Sequence, residues 1–377
     1  MKINEISTPV YVLEEEKLEK NLQILSRVAK KSGVKIFCAL KGFAFSPVLK
    51  RVDEILDGAT TSGLIEAKYA KEYFKNGEIC TYSPAYKDNE IDEILEISDH
   101  IIFNSFFQLE KFRQKWIKSG KKIGLRINPQ TSFAPIELYN PCGKFSRLGI
   151  TKENFIGDLN GVSGFHCHAL CEESSENLEI VIKEVEKQFG EFLPKMEWMN
   201  FGGGHHITKD GYNVELLIKL LKDFSKKWNL QVFIEPGEAI GWESGFLVTE
   251  ILDIVENGVK TCIIDASAEC HMPDTLAMPY RPKIRTECKN GDFAYRFGGA
   301  TCLAGDIVAG ETDDEIYKFK NELKVGDRII FEDQIHYTIV KNTTFNGVKL
   351  PDFGVMNKNG DIKIVKKFGY EDYKRRN

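Results

Sequence analysis

Residues Glu197–Ala239 read EWMNFGGGHHITKDGYNVELLIKLLKDFSKKWNLQVFIEPGEA. A short apolar run ends in a glycine triplet, Gly202–Gly204, and a polar stretch follows. Val214–Trp228 then carries apolar residues at spacings of three and four, and a second apolar run, Val232–Ile234, ends in Glu-Pro-Gly-Glu. A helical period between two short β-type runs is one strand–helix–strand unit, which implies parallel strands.

The pattern repeats outward from this unit, between about residues 34 and 235. The runs VKIFCAL, EICTYS, HIIFN, KIGLRIN, VSGFHCHAL, EWMNFGGG and LQVFIEP alternate with amphipathic stretches such as LIEAKYAKEYFKN and NLEIVIKEVEKQFGEFL. About eight units over about two hundred residues predict an α/β fold built on a (β/α)8 TIM-like barrel, with a doubly wound open sheet as the competing reading. After residue 240 the texture changes to short β-type runs, GFLVTEILDIVE, VKTCIIDA, FAYRFGGATC, DRIIFED and YTIVKNTTFNG, separated by Gly, Asp and Asn. These predict a C-terminal antiparallel β domain that TPVYVL could join. The expected division is a barrel over 12–240 and a β-rich domain of 1–11 and 241–377.

The 377 residues exceed what one core supports, and 42% hydrophobic with 28% charged is ordinary globular composition. With 51 Lys and Arg scattered among 56 Asp and Glu, the net charge of −5 lacks the footprint of a nucleic-acid binder and leaves room for a small cationic substrate. No run approaches the roughly 18 apolar residues of a membrane span, and MKINEISTPVYVL has no leader pattern, so a cytoplasmic protein is expected. Nine cysteines without a repeated CxxC argue against a disulfide framework and a structural zinc site.

In a parallel barrel, chemistry stands at the C-terminal ends of the strands. Lys41 follows IFCAL. Partial desolvation there would lower its pKa and suit it to a Schiff base, against the plain alternative of a lysine snorkelling from the rim. His166 and His168 lie two apart and so share a strand face. No third ligand stands at a recognised spacing, so no metal is expected. A ring stacked on a flat cofactor then competes with a hydrogen-bonded core histidine. Gly202, Gly203 and Gly204 offer successive amides to a phosphate. Glu235 emerges where VFI ends. A lysine, a stacking ring, a phosphate cradle and an acid together describe a pyridoxal 5'-phosphate site, in which the acid keeps the pyridine nitrogen protonated.

These residues, with ALKGF, TTSGLIEAKYA, SRLGI, GFHCHALCE, NFGGGHHIT, EPGEA, CHMPDTLAMPYRP, GATCLAGD and HYTIVKNTTFNG, resemble the fold-type III pyridoxal phosphate enzymes. These are the alanine racemase and ornithine/diaminopimelate decarboxylase group, and the resemblance covers nearly the whole chain. It implies that Lys41 is the cofactor lysine, that His168 stacks on the ring and that Glu235 takes the pyridine nitrogen. Gly202–Gly204 and Tyr337 would hold the phosphate, and Arg147 joins the cofactor contacts. Cys302 would protonate the carbanion across a homodimer interface.

The departures concern the substrate. The family's turn resembles E-P-G-R, whereas here the fourth place is Glu238. An acid beside phosphate would be repelled, so Glu238 is assigned to a substrate amine. Asp274 is similar in position to an acid that holds a distal amine, and Asp306 is grouped with it. Leu303, after Cys302, replaces an acid and suits a longer chain with an internal amine. The expected activity is decarboxylation of a cationic carboxy-polyamine to its triamine, catalysed by Lys41, His168 and Cys302. The alternative is decarboxylation of another basic amino acid such as meso-diaminopimelate. Racemases of this fold are similar in placing an arginine at the pyridine nitrogen, which Glu235 opposes. The long second half opposes a reading from a different class, a non-catalytic pyridoxal phosphate-binding protein of one barrel domain, and a zinc hydrolase built on the histidines is a fourth reading.

Overall fold

The structure, a computed structural model, describes every residue except 135, 136, 310, 311, 313 and 314. It divides into a barrel unit, Asn21–Gly42 with Val48–Ile240, and a sheet unit, Met1–Lys20 with Phe43–Pro47 and Gly241–Asn377. Strand β1 (Val10–Glu14) lies in the sheet unit. In the barrel unit follow β2 (Lys35–Ala39), β3 (Gly58–Thr61), β4 (Glu78–Tyr82), β5 (His100–Phe103), β6 (Lys122–Arg126), β7 (Gly164–His166), β8 (Trp198–Asn200) and β9 (Gln231–Ile234). Among the described residues these eight parallel strands close in chain order, and the Lys35–Phe233 pairing of β2 with β9 seals the ring and rules out the open sheet. Seven strands fall on the expected apolar runs. The eighth, β3, is the run GATT, whose small side chains are buried at all four positions but give no hydrophobic period to read.

Helices outside the ring form where an apolar stripe meets a cap. Val214–Trp228 starts because Asn213 accepts from the Leu216 amide, and it stops at Asn229 in the left-handed region. Leu217, Ile218, Leu221 and Phe224 are buried along one face. Within the barrel, Phe37, Cys80, Ile102, Trp198 and Phe233 pack as one cluster. A methyl group added at Gly164 would fall 2.0 Å from the Trp198 ring. Gly164→Ala is therefore expected to cost about 1–3 kcal/mol by overpacking, read as a lowered urea midpoint with an unchanged slope.

In the sheet unit, β10 (Gly245–Asn257), β11 (Val259–Ile264), β12 (Phe293–Gly298), β13 (Tyr317–Phe319), β14 (Arg328–Glu332), β15 (Asp352–Met356) and β16 (Ile362–Lys366) join β1. Val10, Val12, Phe246, Val248 and Ile362 form its core. The sheet is mixed rather than purely antiparallel, since β1 pairs β15 and β11 pairs β12 in parallel. Parallel neighbours need long connections, which these pairs have, but strand direction leaves no mark on the local hydrophobic pattern. YTIVKNTTFNG forms two short 3-10 turns, Tyr337–Val340 and Phe345–Gly347, instead of a strand. Tyr337 and Asn346 take φ of 26° and 59°, outside the extended region. Among the described residues no helix is long and apolar enough to cross a membrane.

Candidate active site

The barrel strands deliver their last residues to one end of the ring. Glu235, directly after β9, is buried. Its carboxylate accepts from Asn200 Nδ2 at 2.6 Å and lies 3.2 Å from His166 Nε2, while Thr60 and the Cys80 thiol also bond to it. Burial alone would raise its pKa, but His166, Asn200 and Thr60 outweigh burial and hold the carboxyl below the usual carboxylate range. His166 is kept neutral by burial and by the Arg126 and Lys41 charges, against the pull of Glu235, so its Nε2–H donates to the ionised acid.

Lys41 stands two residues beyond β2. Water reaches its side chain, yet protein surrounds it closely enough that desolvation pushes the ammonium below the usual lysine range; Arg126 adds to this, and Cys171 and Glu235 oppose it. His168 lies two residues past β7, its ring 6.5 Å from that of His166 and within 6° of parallel. Its Nδ1 accepts from the Gly203 amide at 2.9 Å, which leaves the proton of the neutral ring on Nε2. Burial, then Lys41 and Arg126, push the His168 pKa well down.

The glycine triplet is required by close packing. A Cβ would stand 2.7 Å from His168 at Gly202, 2.4 Å from the Glu235 carbonyl at Gly203, and 2.1 Å from the Leu170 carbonyl at Gly204. Two of its amides are also used inside the protein, Gly202 by Asn200 Oδ1 at 2.8 Å and Gly203 by His168 Nδ1. The expected cradle is thus narrower than three free amides, because the loop is tied to the strand ends beside it. Arg147 is exposed on the loop after β6; burial raises the Tyr82 pKa, and the Arg126 and Arg147 charges oppose that rise.

Glu238 pairs with His206, Nε2 to Oε2 at 3.0 Å, an internal partner that its sequence position does not reveal. His205 is buried, which takes its pKa down to about 4, against the pull of the Phe201 and Gly202 carbonyls. Among the described residues no group of three or more His, Cys, Asp and Glu is placed to hold a metal.

Four candidates lie in the sheet unit. Cys302 is exposed, and its amide donates to Asn346 Oδ1 at 2.9 Å. Asp274 begins the short helix Asp274–Ala277 and is paired with Lys341 Nζ at 2.5 Å. Tyr337 opens its 3-10 turn with the Lys341 ammonium 5.4 Å from its ring centroid. Asp306 is buried, with Oδ1 accepting from Ser267 Oγ and the Glu269 amide and Oδ2 from the Thr301 hydroxyl and amide. An acid held by four protein donors fixes its own loop and has little left to offer a substrate amine.

Sequence reading missed Arg126, Tyr82 and Asn200. Arg126 is buried, donates to the His168 carbonyl at 3.1 Å and lies 4.7 Å over the Tyr82 ring, which itself stacks on His166. Each is the last residue of its strand, β6, β4 or β8. That position was the available signal.

A closed parallel barrel whose mouth holds a depressed lysine, an ionised buried acid and a neutral flat ring, in a chain that also carries a separate β-sheet unit, defines a class of pyridoxal-using enzymes. The family model "Pyridoxal-dependent decarboxylase, C-terminal sheet domain" matches residues 10–334, and the chain belongs to that family. Within it, the chain is 51% identical to the carboxynorspermidine/carboxyspermidine decarboxylase of Campylobacter jejuni, over 99% of both chains. It is 41% identical to the carboxyaminopropylagmatine decarboxylase of Synechocystis sp., over 100% of this chain and 96% of that one. The crystal structure of Campylobacter jejuni carboxynorspermidine decarboxylase complexed with norspermidine superposes with a TM-score of 0.91 at 49% identity, covering 99% of this chain and 100% of that one.

Proposed function

We propose that the chain binds pyridoxal 5'-phosphate at the barrel mouth and, as a homodimer, decarboxylates carboxynorspermidine and carboxyspermidine to the triamines. The observation that carries the reading is Glu235, buried and held ionised beside a lysine whose ammonium is disfavoured. When bound, the cofactor supplies an electron sink for the pair left on the substrate α carbon as carbon dioxide departs. Lys41, whose ammonium desolvation disfavours, would hold the cofactor's aldehyde group. Glu235 accepts the pyridine N–H and keeps that proton in place. His168 presents its ring face, fixed by Gly203. The Gly204 end of the loop, with Arg147, would hold the phosphate. Cys302 delivers a proton to the α carbon in the partner subunit's site, and Asp306 holds its loop.

Substrate choice rests on Glu238 and Asp274. Both already have protein partners, the His206 ring and the Lys341 ammonium, so each marks a place where a substrate ammonium can share or replace an existing partner. Full-length similarity to the Campylobacter enzyme supports the same assignment. The test is carbon dioxide release from carboxynorspermidine, carboxyspermidine, diaminopimelate, ornithine and lysine by the purified protein with added cofactor. Release from diaminopimelate instead of the carboxytriamines would discard the substrate roles of both acids. Glu238→Gln is expected to raise KM about tenfold with kcat little changed, since it removes binding shared by ground and transition states.

A further inference from the structure

We infer that Asn346 is the positioning residue for Cys302. This rests on the reading that Cys302 delivers the proton. Two segments of the sheet unit meet at that thiol, and both are moored to one short helix, Ala268–His271. On one side, Ser267 Oγ caps the helix by accepting from the Cys270 amide and donates to Asp306, whose other oxygen holds Thr301, the residue before Cys302. On the other side, Cys270 ties down the turn that carries Asn346. Its carbonyl accepts from the Thr343 amide at 3.0 Å, and its thiol lies 3.5 Å from the Phe345 carbonyl. Arg376 adds a bond to Thr344 Oγ1 at 3.1 Å.

The two arms join through one hydrogen bond, from the Cys302 amide to Asn346 Oδ1. Asp306 governs the amide of residue 301, and Thr301 Oγ1 that of residue 303. Asn346 alone accepts the amide of the reacting residue among the bonds described. Its conformation matches the task. At φ 59° it lies in the left-handed region, where asparagine is tolerated better than most side chains, and there its side chain is turned back onto the neighbouring loop. The exposed loop around Cys302 is thus held at the reacting residue's own backbone, and a thiol that must meet a carbon in another subunit gains a defined starting point.

The experiment compares Asn346→Gly, Asn346→Asp and Cys302→Ala in the reconstituted full-length enzyme. Glycine keeps the left-handed backbone and loses the acceptor; aspartate keeps an acceptor oxygen. Each turnover releases carbon dioxide and ends in one of two ways. Protonation at the substrate α carbon gives the triamine and the free cofactor, whereas protonation at the cofactor carbon followed by hydrolysis gives an aldehyde and pyridoxamine phosphate. We expect Asn346→Gly to lower kcat about tenfold, within the range that misplacing a reacting group costs. KM should stay within about twofold, the aldehyde share should rise toward that of Cys302→Ala, and Asn346→Asp should restore both kcat and product ratio. A thermal midpoint close to the parent's separates positioning from unfolding; if the glycine variant does not fold, Asn346→Ala takes its place. A normal product ratio in Asn346→Gly beside a shifted one in Cys302→Ala would overturn the role of Asn346 and leave that of Cys302. An unshifted ratio and unchanged kcat in Cys302→Ala would overturn both.

Discussion

Lys41→Ala is expected to abolish the visible absorption that the parent acquires with pyridoxal phosphate, and to lower kcat by a factor of about 10³ to 10⁴. The reason lies in what surrounds the amine. Desolvation and the Arg126 guanidinium both disfavour the ammonium, and Glu235 and Cys171 do not restore it to the usual lysine range. An amine whose ammonium is disfavoured is a better nucleophile for an aldehyde; an alanine there leaves the acid and the flat ring with nothing covalent between them. The variant should still bind the cofactor through its remaining contacts but lose it on dialysis. Arg126→Met checks the cause. Without that cation the lysine titrates higher, a smaller fraction is neutral near pH 7, and the visible band should develop more slowly at neutral pH and regain its rate as pH is raised. A Lys41→Ala protein that kept both the band and carbon dioxide release would end the cofactor reading.

Glu235→Gln, nearly the same size but uncharged, is expected to lower kcat by about 10²- to 10³-fold, the cost typical of removing one preorganised electrostatic partner. The loss should be similar across the neutral range, because the native carboxyl already lies below the usual carboxylate range and stays ionised throughout it. Glu235→Ala adds a structural effect. His166 Nε2 and Asn200 Nδ2 both point at this carboxylate inside the barrel, and each polar group left unpaired in a buried place costs about 1–3 kcal/mol. The alanine variant should therefore lose stability in urea as well as activity, whereas the glutamine variant loses mainly activity. Equal activity in Glu235→Gln and the parent would remove the ionised acid from the mechanism.

Much of the barrel is legible in the sequence because its signals are local. Seven strands announce themselves as apolar runs, and helices such as Val214–Trp228 by period and cap. Lys41 and Glu235 stand just past strand ends, so reading where each run stops finds them. The strand GATT escapes because four small residues carry no period. Arg126, Tyr82 and Asn200 could have been found by the same strand-end rule; they went unread because each looks like an ordinary member of its run.

The remaining assignments depend on partners that lie far off in sequence. Glu238 is read as an acid awaiting a substrate until His206, 32 residues away, is found against it. Asp306 is read the same way until Ser267 and Glu269 are found holding it. Gly202 and Gly203 are read as open donors until Asn200 and His168 take their amides. Residue order and hydrophobic period by themselves determined the alternation of strand and helix, the position of the lysine and the acid at strand ends, and the change of texture near residue 240. Only the tertiary structure decided that the ring closes, which sheet neighbours run parallel, and which charges are already paired. Period and strand ends are properties of a few adjacent residues, whereas closure, direction and pairing are set by groups that only folding brings within hydrogen-bond distance.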